Sequence, residues 1–316
     1  MGPIHFIKEL LADEKQKIAA LSILSNTTLV LLKLIAGIVT NSVSIISEAI
    51  HSGLDLVAAI IAFIAVRISS RPPDHRHRYG HGKFENISGT IEALLIFVAA
   101  IWIIVEAYKK LIHGANVETV GIGIAVMAFA SLANWIISGL LMKTAKKTDS
   151  IALEADALHL RTDVYTSVGV MLGLLVLSIT KIQILDPLIA IAVAFLIIKA
   201  AYDLTLKAVI PLLDVALPPE EEEEIQKALT LISPEGVVGY HQLRTRKAGA
   251  ERYVDMHLVV PRFLSIAQVH QLCDRIEKEI ADRLPYVHVL VHAEPCEDED
   301  CALCQNSECQ LLPDNM

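Results

Sequence analysis

The stretch VSIISEAIHSGLDLVAAIIAFIAV, residues 43–66, combines an apolar run long enough to cross a bilayer with three ionisable side chains, Glu48, His51 and Asp55. About 20 helical residues span the hydrocarbon core, so the stretch predicts a membrane helix. His51 and Asp55 lie four residues apart and therefore share one face of that helix. Because a charged group in hydrocarbon costs about 2.5 to 3.5 kcal/mol, this pair needs a compensating partner.

A second copy of the same spacing supplies a candidate partner. His159 and Asp163 stand four residues apart in the apolar segment 151–179. Two imidazoles and two carboxylates from two helices form a four-ligand set that suits tetrahedral Zn²⁺. The alternative is structural: each pair is a packed polar contact, or an aspartate pairs with Arg161. The repeated spacing favours a site for a divalent cation.

Six segments of the chain are apolar and long enough to span a membrane. They cover residues 18–39, 43–66, 87–108, 120–142, 151–179 and 185–209. Two longer polar connections, residues 67–83 and 143–150, hold eight lysines and arginines, so the positive-inside rule places both connections and the N-terminus in the cytoplasm. A hydrophobic content of 53% and a mean hydropathy of +0.51 argue against a soluble enzyme.

The chain beyond residue 212 has a different character. Residues 213–316 carry 9 Lys and Arg against 20 Asp and Glu, an acidic balance that argues against nucleic acid as a partner. The order helix, strand, strand, helix, strand predicts a small α+β domain of ferredoxin-like type. We therefore expect a transmembrane domain at 1–212, this domain at 213–295 and a tail at 296–316.

Two further groups of metal-ligating residue types lie outside the apolar segments. The polar connection at residues 67–83 contains Asp74, His75, His77 and His81. The predicted α+β domain contains His241, His257, His270, His292 and Glu294. Imidazole and carboxylate suit several divalent metals, so both groups are candidate metal sites. A solvated histidine-rich loop and ordinary core histidines are the alternatives.

The tail of the chain is rich in cysteine. Cys296, Cys301, Cys304 and Cys309 lie within fourteen residues and contain one CxxC pair. Four thiolates can bind Zn²⁺ tetrahedrally, and CxxC is the usual half-site. The tail is therefore a possible metal site, with an unstructured acidic tail as the alternative.

Five motifs taken together resemble the cation diffusion facilitator family, and in particular its bacterial zinc efflux members. They are SIISEAIHSGLD, DHRHRYGHGKFE, ALHLRTD, HQLRTRKAG and VDMHL. The resemblance runs from about residue 18 to residue 295. It implies an α-helical membrane protein that forms a homodimer, with six transmembrane helices and a C-terminal cytoplasmic ferredoxin-like domain in each chain. It also implies export of divalent metal in exchange for protons.

The same resemblance implies roles for individual residues. It implies a transport site at His51, Asp55, His159 and Asp163, and a loop site at Asp74, His77 and His81, with His75 where some relatives carry a carboxylate. It further implies metal sites at the cytoplasmic dimer interface from His241, His257, His270, His292 and Glu294, and a link between the two halves through Lys83 and Asp214. The cysteine-rich tail is not part of the family pattern.

The metal and the membrane are also expectations. A histidine at position 51 resembles the more zinc-selective members, while Fe²⁺, Cd²⁺, Co²⁺ and Mn²⁺ remain open as substrates. The long histidine-rich loop of many eukaryotic relatives is absent between the fourth and fifth spans, which favours a prokaryotic cell membrane. Two rival functions stay open: a membrane metal sensor or scaffold that binds without transporting, and a membrane metallohydrolase, for which no HExxH arrangement is present.

Overall fold

The computed structural model describes residues 3–40, 43–113, 122–180, 184–232 and 236–297. Its first part is built from six long helices. These are α1 (Pro3–Thr40), α2 (Val43–Ser69), α3 (Lys83–His113), α4 (Ile122–Thr148), α5 (Ile151–Thr180) and α6 (Leu185–Val209). Four of them contain a described segment that is long and apolar enough to cross a membrane, namely Glu14–Val39, Ala49–Ser69, Lys83–Lys109 and Pro187–Leu213. The first half of α5 carries four charged residues, as expected for a helix that bears ligands.

The helices extend beyond the predicted apolar spans. The polar connection predicted at residues 143–150 is mostly helical, since α4 continues as a helix to Thr148. Lysine and alanine are good helix formers, and the basic residues Lys146 and Lys147 lie in the last turn, where they complement the helix dipole. The chain turns at Asp149, which adopts a φ of 51°.

Small residues let the membrane helices pack closely. One core cluster joins α1, α2, α4 and α5, and a second joins α3, α5 and α6. Alanines dominate both clusters, and Ala157 belongs to the first while Ala155 belongs to the second. Gly89 marks a close approach, since an added Cβ would lie 3.2 Å from Ile151 and 3.4 Å from Ala208. Helix α5 is therefore packed on two sides.

A buried carboxylate joins the ends of several of these helices. Glu85, near the start of α3, is 1% exposed. It accepts hydrogen bonds from Lys15 Nζ of α1 at 3.0 Å, from Ser69 Oγ of α2 at 2.7 Å and from Ser150 Oγ. Because donors from three other segments satisfy one anion, the carboxylate fixes this end of the bundle.

The second compact unit begins at Leu213, which is the last residue of a short 3-10 helix (Ile210–Leu213). It contains α7 (Pro219–Ile232), β1 (Gly239–Ala248), β2 (Glu251–Val260), α8 (Ile266–Arg283) and β3 (Val287–Pro295). The sheet order is β1-β2-β3, with β1 antiparallel and β3 parallel to β2. The predicted order of elements is confirmed. Two residues set local geometry: Ser265 caps α8 in a capping box, and Gln242, at φ 52°, lies in a bulge of β1.

Alternation along β2 builds the core of this unit. Val254, Met256, Leu258 and Val260 point to one face and are at most 4% exposed. They pack against the apolar faces of α7 and α8, which is the burial that the alternating sequence predicts. His257 of β2 lies on the opposite face of the sheet. Its cross-strand neighbours are His241 of β1 and His292 of β3.

Candidate metal centres

The repeated spacing on α2 and α5 brings the predicted residues together. One ligand atom each of His51, Asp55 and Asp163 lies within 4.8 Å of the other two. His51 Nε2 and Asp163 Oδ1 are 4.0 Å apart. The i, i+4 spacing places both ligands of each helix on the face that meets the other helix. Asp55 is buried, whereas the side chain of His51 is 52% exposed, so the cluster is open on the His51 side.

His159 borders this cluster and contacts it at Asp55. Its Nε2 lies 3.1 Å from Asp55 Oδ1, and the two side chains are 11% and 6% exposed. Within the described residues, His159 Nδ1 and Asp163 Oδ2 are buried and have no hydrogen-bond partner. His51, Asp55 and Asp163 thus form a three-ligand group that His159 borders through Asp55, and the unpartnered atoms of His159 and Asp163 could bind a divalent cation.

Two residues that the sequence reasoning missed lie beside this cluster. Lys33 of α1 is 8% exposed, and its Nζ donates a hydrogen bond of 2.7 Å to Ser52 Oγ. Ser52 follows His51 directly on α2. The available signal was a lysine inside an apolar span, which is rare enough to indicate function by itself.

A second missed feature is a pair of buried carboxylates, Glu92 of α3 and Asp156 of α5. They are 0% and 1% exposed, and none of their four oxygens has a hydrogen-bond partner in the described part of the chain. The hydroxyls of Ser88 and Ser22 lie near Glu92 and Asp156, respectively. Both carboxylates interact electrostatically with His159. Acidic residues inside apolar spans were again the visible signal.

The connection between α2 and α3 gathers three of its four predicted ligands. Asp74 Oδ1 lies 3.4 Å from His77 Nδ1, and Asp74 Oδ2 lies 3.3 Å from His81 Nε2. The backbone amides of His77 and Arg76 donate to Asp74 Oδ1 at 2.7 and 2.8 Å, and they hold the pKa of Asp74 below its ordinary value. His81 is buried, and its Nδ1 is without a partner among the described residues. His75 is exposed and stands outside this group.

The sheet of the second unit gathers another three ligands. His257 Nδ1 lies 2.7 Å from Glu294 Oε1, and His241 Nε2 lies 3.0 Å from Glu294 Oε2. The hydrogen bond with His257, followed by that with His241, lowers the pKa of Glu294. Because β1, β2 and β3 are adjacent, one carboxylate bridges two imidazoles across the sheet. The group is partly exposed, so an ion can reach it.

The remaining two predicted ligands of this unit are placed differently. His292 Nε2 lies 3.5 Å from Glu294 Oε1, and its ring centroid is 4.8 Å from that of His257, so it borders the group. His270 is 75% exposed and faces Asp274 on its own helix at 3.6 Å. Its assignment as a ligand stays a prediction.

The tail and the predicted link are only partly described. Cys296 is buried, and its carbonyl accepts hydrogen bonds from Arg262, whereas Cys301, Cys304 and Cys309 lie outside the described residues. Lys83 begins α3. Asp214 has a φ of 54° and accepts a hydrogen bond of 3.3 Å from Arg246 Nη1. The pairing of Lys83 with Asp214 stays a prediction.

Comparison with known proteins identifies the family. Residues 19–213 match the model of the cation efflux transmembrane domain, and residues 217–296 match that of the cytoplasmic domain of cation efflux proteins. The chain belongs to the cation efflux family. The resemblance seen in the sequence motifs is thereby confirmed. A cation efflux protein is a multi-pass membrane transporter with a cytoplasmic C-terminal domain, and it is not an enzyme.

Relatives with similarity along most of the chain support the same conclusion. The uncharacterized transporter sll1263 of Synechocystis is 36% identical over 84% of this chain and 86% of its own length. The cation-efflux pump FieF of Serratia proteamaculans is 33% identical over 85% of this chain and 88% of its own. FieF of Salmonella newport is 34% identical over 85% and 89%.

Solved structures match a smaller part of this cation efflux protein. CzrB, a proposed zinc transporter, covers 26% of this chain and 100% of its own, at 34% identity and a TM-score of 0.25. The metal-bound C-terminal domain of the CzcD transporter from Thermotoga maritima covers 24% of this chain and 87% of its own, at 26% identity and a TM-score of 0.23.

Proposed function

We propose that this cation efflux protein exports Zn²⁺ from the cytoplasm in exchange for protons, by alternating access to one site formed by His51, Asp55, His159 and Asp163. The observation that carries the proposal is the group of His51, Asp55 and Asp163 between α2 and α5, with His159 in contact with Asp55 and with unpartnered atoms on His159 and Asp163. In hydrocarbon such a cluster is costly unless it binds a positive ion.

The ligand set explains the exchange. Imidazole binds a metal only when it is neutral, so protons and the metal compete for His51 and His159. In the proposed cycle the site takes the ion from the cytoplasm, and the bundle that holds α2 and α5 then rocks outward. Protonation of the imidazoles in the outward-facing state then promotes release of the ion.

Two nitrogen and two oxygen ligands favour Zn²⁺ in tetrahedral geometry. Ligand type narrows the choice of metal without fixing it, so Fe²⁺, Cd²⁺, Co²⁺ and Mn²⁺ are weaker candidates. Zinc selectivity predicts faster flux of Zn²⁺ than of Mn²⁺, which prefers oxygen ligands.

The metal centre of the cytoplasmic domain is proposed to regulate transport in a homodimer. Metal bound at His241, His257 and Glu294, with His270 and His292 as further ligands, would lower the repulsion between two acidic cytoplasmic domains. Closer approach of these domains would then bias the membrane domain toward transport. If His241→Ala with His257→Ala leaves the zinc dependence of transport unaltered, regulation by this centre is excluded.

The proposed location is a prokaryotic cell membrane with both termini in the cytoplasm. The eight basic residues in the two polar connections support this orientation. Lys83 and Asp214 are proposed to link the membrane and cytoplasmic domains, and the Cys296 to Cys309 tail is a further candidate for metal binding.

Zinc uptake into proteoliposomes tests the transport function. The full chain is reconstituted with an internal metal dye and an imposed pH gradient, beside Asp55→Ala and Asp163→Ala. We expect flux that follows the pH gradient and disappears in both variants. Flux that persists in Asp163→Ala would overturn the site. Tight zinc binding without flux in the unsubstituted protein would instead favour the metal sensor or scaffold.

A further inference from the structure

Glu92 of α3 and Asp156 of α5 are acidic side chains that belong to none of the candidate metal centres. Both lie inside the membrane domain and are almost completely buried. None of their four oxygens makes a hydrogen bond in the described part of the chain. Burial of an uncompensated acidic group costs folding free energy, so its presence inside a membrane helix indicates a function.

The packing of α3 against α5 brings the two acidic groups to the same level of the bundle. The close approach at Gly89 places α3 against the start of α5. Further along the two helices, Ala93 and Ala155 belong to one core cluster. Glu92 immediately precedes Ala93, and Asp156 immediately follows Ala155. The two carboxyl groups therefore lie on adjacent helices next to one shared cluster, and they interact electrostatically.

Helix periodicity extends this polar group in both directions. On α3, Glu85, Ser88 and Glu92 follow one another at spacings of three and four residues, so they share one helix face. On α5, Asp156 stands three residues before His159 and lies on the same face. Ser88 is buried, and its Oγ has no hydrogen-bond partner among the described residues. A line of buried carboxyl and hydroxyl groups thus runs from Glu85 to the transport site.

The two ends of this line have different surroundings. Glu85 lies near the start of α3, directly after the connection of residues 67–83, which the proposed orientation places in the cytoplasm. Seven residues separate it from Glu92, which is about 10 Å along the helix. At the other end, His159 Nε2 lies 3.1 Å from Asp55 Oδ1 in the transport site. The line therefore joins the cytoplasmic end of the bundle to the transport site.

The ionisable groups that act on Glu92 come from α5. They are Asp156 and His159, and Ser88 lies one turn before Glu92 on its own helix. Among the described residues, no lysine or arginine bonds either oxygen of Glu92. A carboxyl group without a fixed cation can both gain and lose a proton. Helix α6 also packs against α3 with an apolar face, and its charged residues are exposed, namely Lys199, Asp203 and Lys207.

We propose that Glu92 and Asp156 form a proton relay, which carries protons from the transport site to the cytoplasmic end of the bundle during exchange. At each step a carboxylate oxygen accepts a proton, and the resulting carboxylic acid gives that proton to the next acceptor, through the Ser88 hydroxyl and Glu85. Protons thereby leave to the cytoplasm while the metal moves outward. This inference rests on the proposed function, because it takes the exchange of metal for protons as given.

Two modes of zinc movement separate the relay from the metal site. Net uptake into proteoliposomes under an imposed pH gradient requires proton movement. Exchange of labelled external Zn²⁺ for unlabelled internal Zn²⁺ at equal pH requires only that the ion enters and leaves its site. Both rates are measured for the full chain and for Glu92→Gln, Asp156→Asn and Glu92→Asp, and an internal pH-sensitive dye records proton flux. Glu106→Gln is the matched control, because Glu106 is an exposed glutamate on α3.

We expect Glu92→Gln to slow net uptake and proton flux about 100-fold, because an amide cannot pass on a proton. Exchange of Zn²⁺ should remain close to that of the unsubstituted protein. Asp156→Asn should show the same separation of the two rates. Glu92→Asp keeps a carboxyl group and should retain most of the net uptake, and Glu106→Gln should change neither rate.

Two results would overturn the relay. One is unchanged net uptake in Glu92→Gln and Asp156→Asn. The other is an equal loss of net uptake and exchange, because the carboxyl groups would then serve the metal or the fold. Failure of the proposed function has a different signature: flux would survive Asp163→Ala, or flux in the unsubstituted protein would not follow the pH gradient.

Discussion

His159 Nε2 lies 3.1 Å from Asp55 Oδ1, although the two residues are 104 positions apart in the chain. One belongs to α5 and the other to α2, and both side chains are almost completely buried. The contact therefore joins one residue of the His51 and Asp55 pair to one residue of the His159 and Asp163 pair. Because an imidazole and a carboxylate meet inside a membrane domain, a bound cation or proton must balance their charge.

Asp55→Asn tests this contact by removing the charge with little change in shape. The amide keeps a hydrogen bond to His159 but supplies no anionic ligand, so we expect zinc flux in proteoliposomes to fall about 100-fold. Asp203→Asn is the matched control, because Asp203 is an exposed aspartate on α6. Equal flux in the two variants would show that the Asp55 carboxylate is not a ligand.

Glu85 predicts a large effect on stability. Glu85→Ala leaves the ammonium of Lys15, which is 12% exposed, without its carboxylate, and it also removes the acceptor of Ser69 and Ser150. Breaking a buried pair in this way costs about 3 kcal/mol. We therefore expect a clear fall in the unfolding midpoint of the full chain in detergent.

The control for Glu85 is an exposed pair in the same domain. Glu154 Oε1 and Lys207 Nζ are 2.6 Å apart, but the lysine side chain is 59% exposed. Glu154→Ala should therefore cost less than about 1 kcal/mol. If Glu154→Ala destabilises the protein as much as Glu85→Ala, burial is not what gives Glu85 its effect.

Periodicity explains which features could be predicted from the sequence. The apolar spans and the i, i+4 pairs on α2 and α5 are local patterns, so the six helices, the group of His51, Asp55 and Asp163 and the contact of His159 with Asp55 could be predicted from them. The alternation in β2 likewise predicted which of its side chains are buried. Each of these features repeats with the period of one helix or one strand.

Features that depend on contact between distant segments did not follow from the sequence. Glu85 takes donors from residues 15, 69 and 150, and no local pattern encodes that choice. The bulge at Gln242 alters the pairing of β1 with β2 without any visible signal in the alternation. The continuation of α4 to Thr148 is not visible in the apolar pattern, because that pattern marks only the part of a helix that lies in the membrane.

The buried carboxylates of Glu92 and Asp156 lead to the opposite expectation from Glu85. None of their oxygens makes a hydrogen bond among the described residues, although both carboxyls interact electrostatically with His159. Glu92→Gln or Asp156→Asn keeps the shape of the side chain and removes the cost of burying an ionisable carboxyl group. We expect each to raise the unfolding midpoint in detergent by about 2 to 4 °C. A lowered midpoint would mean that the carboxylate binds a partner that stabilises the fold.

Glu294 predicts how the cytoplasmic centre depends on pH. Its pKa is lowered, mainly by the hydrogen bond with His257, so the carboxylate stays ionised as the pH falls toward the ordinary carboxyl range. The stability that it contributes is present above that range and is lost only as the pH falls through the lowered pKa. Between about pH 7.5 and pH 5.5, the Glu294 carboxylate therefore takes up no proton that would compete with a bound metal.

Glu294→Gln makes this expectation measurable in the full chain. Losing one charged ligand should weaken zinc binding at this centre about tenfold, and by the same factor at both ends of that pH range. Isothermal titration of the Asp55→Ala, His77→Ala background, with and without Glu294→Gln, gives the two affinities at each pH. Glu297→Gln is a nearby control. If the effect of Glu294→Gln disappeared at the acidic end, the carboxylate would itself be titrating there, contrary to its lowered pKa.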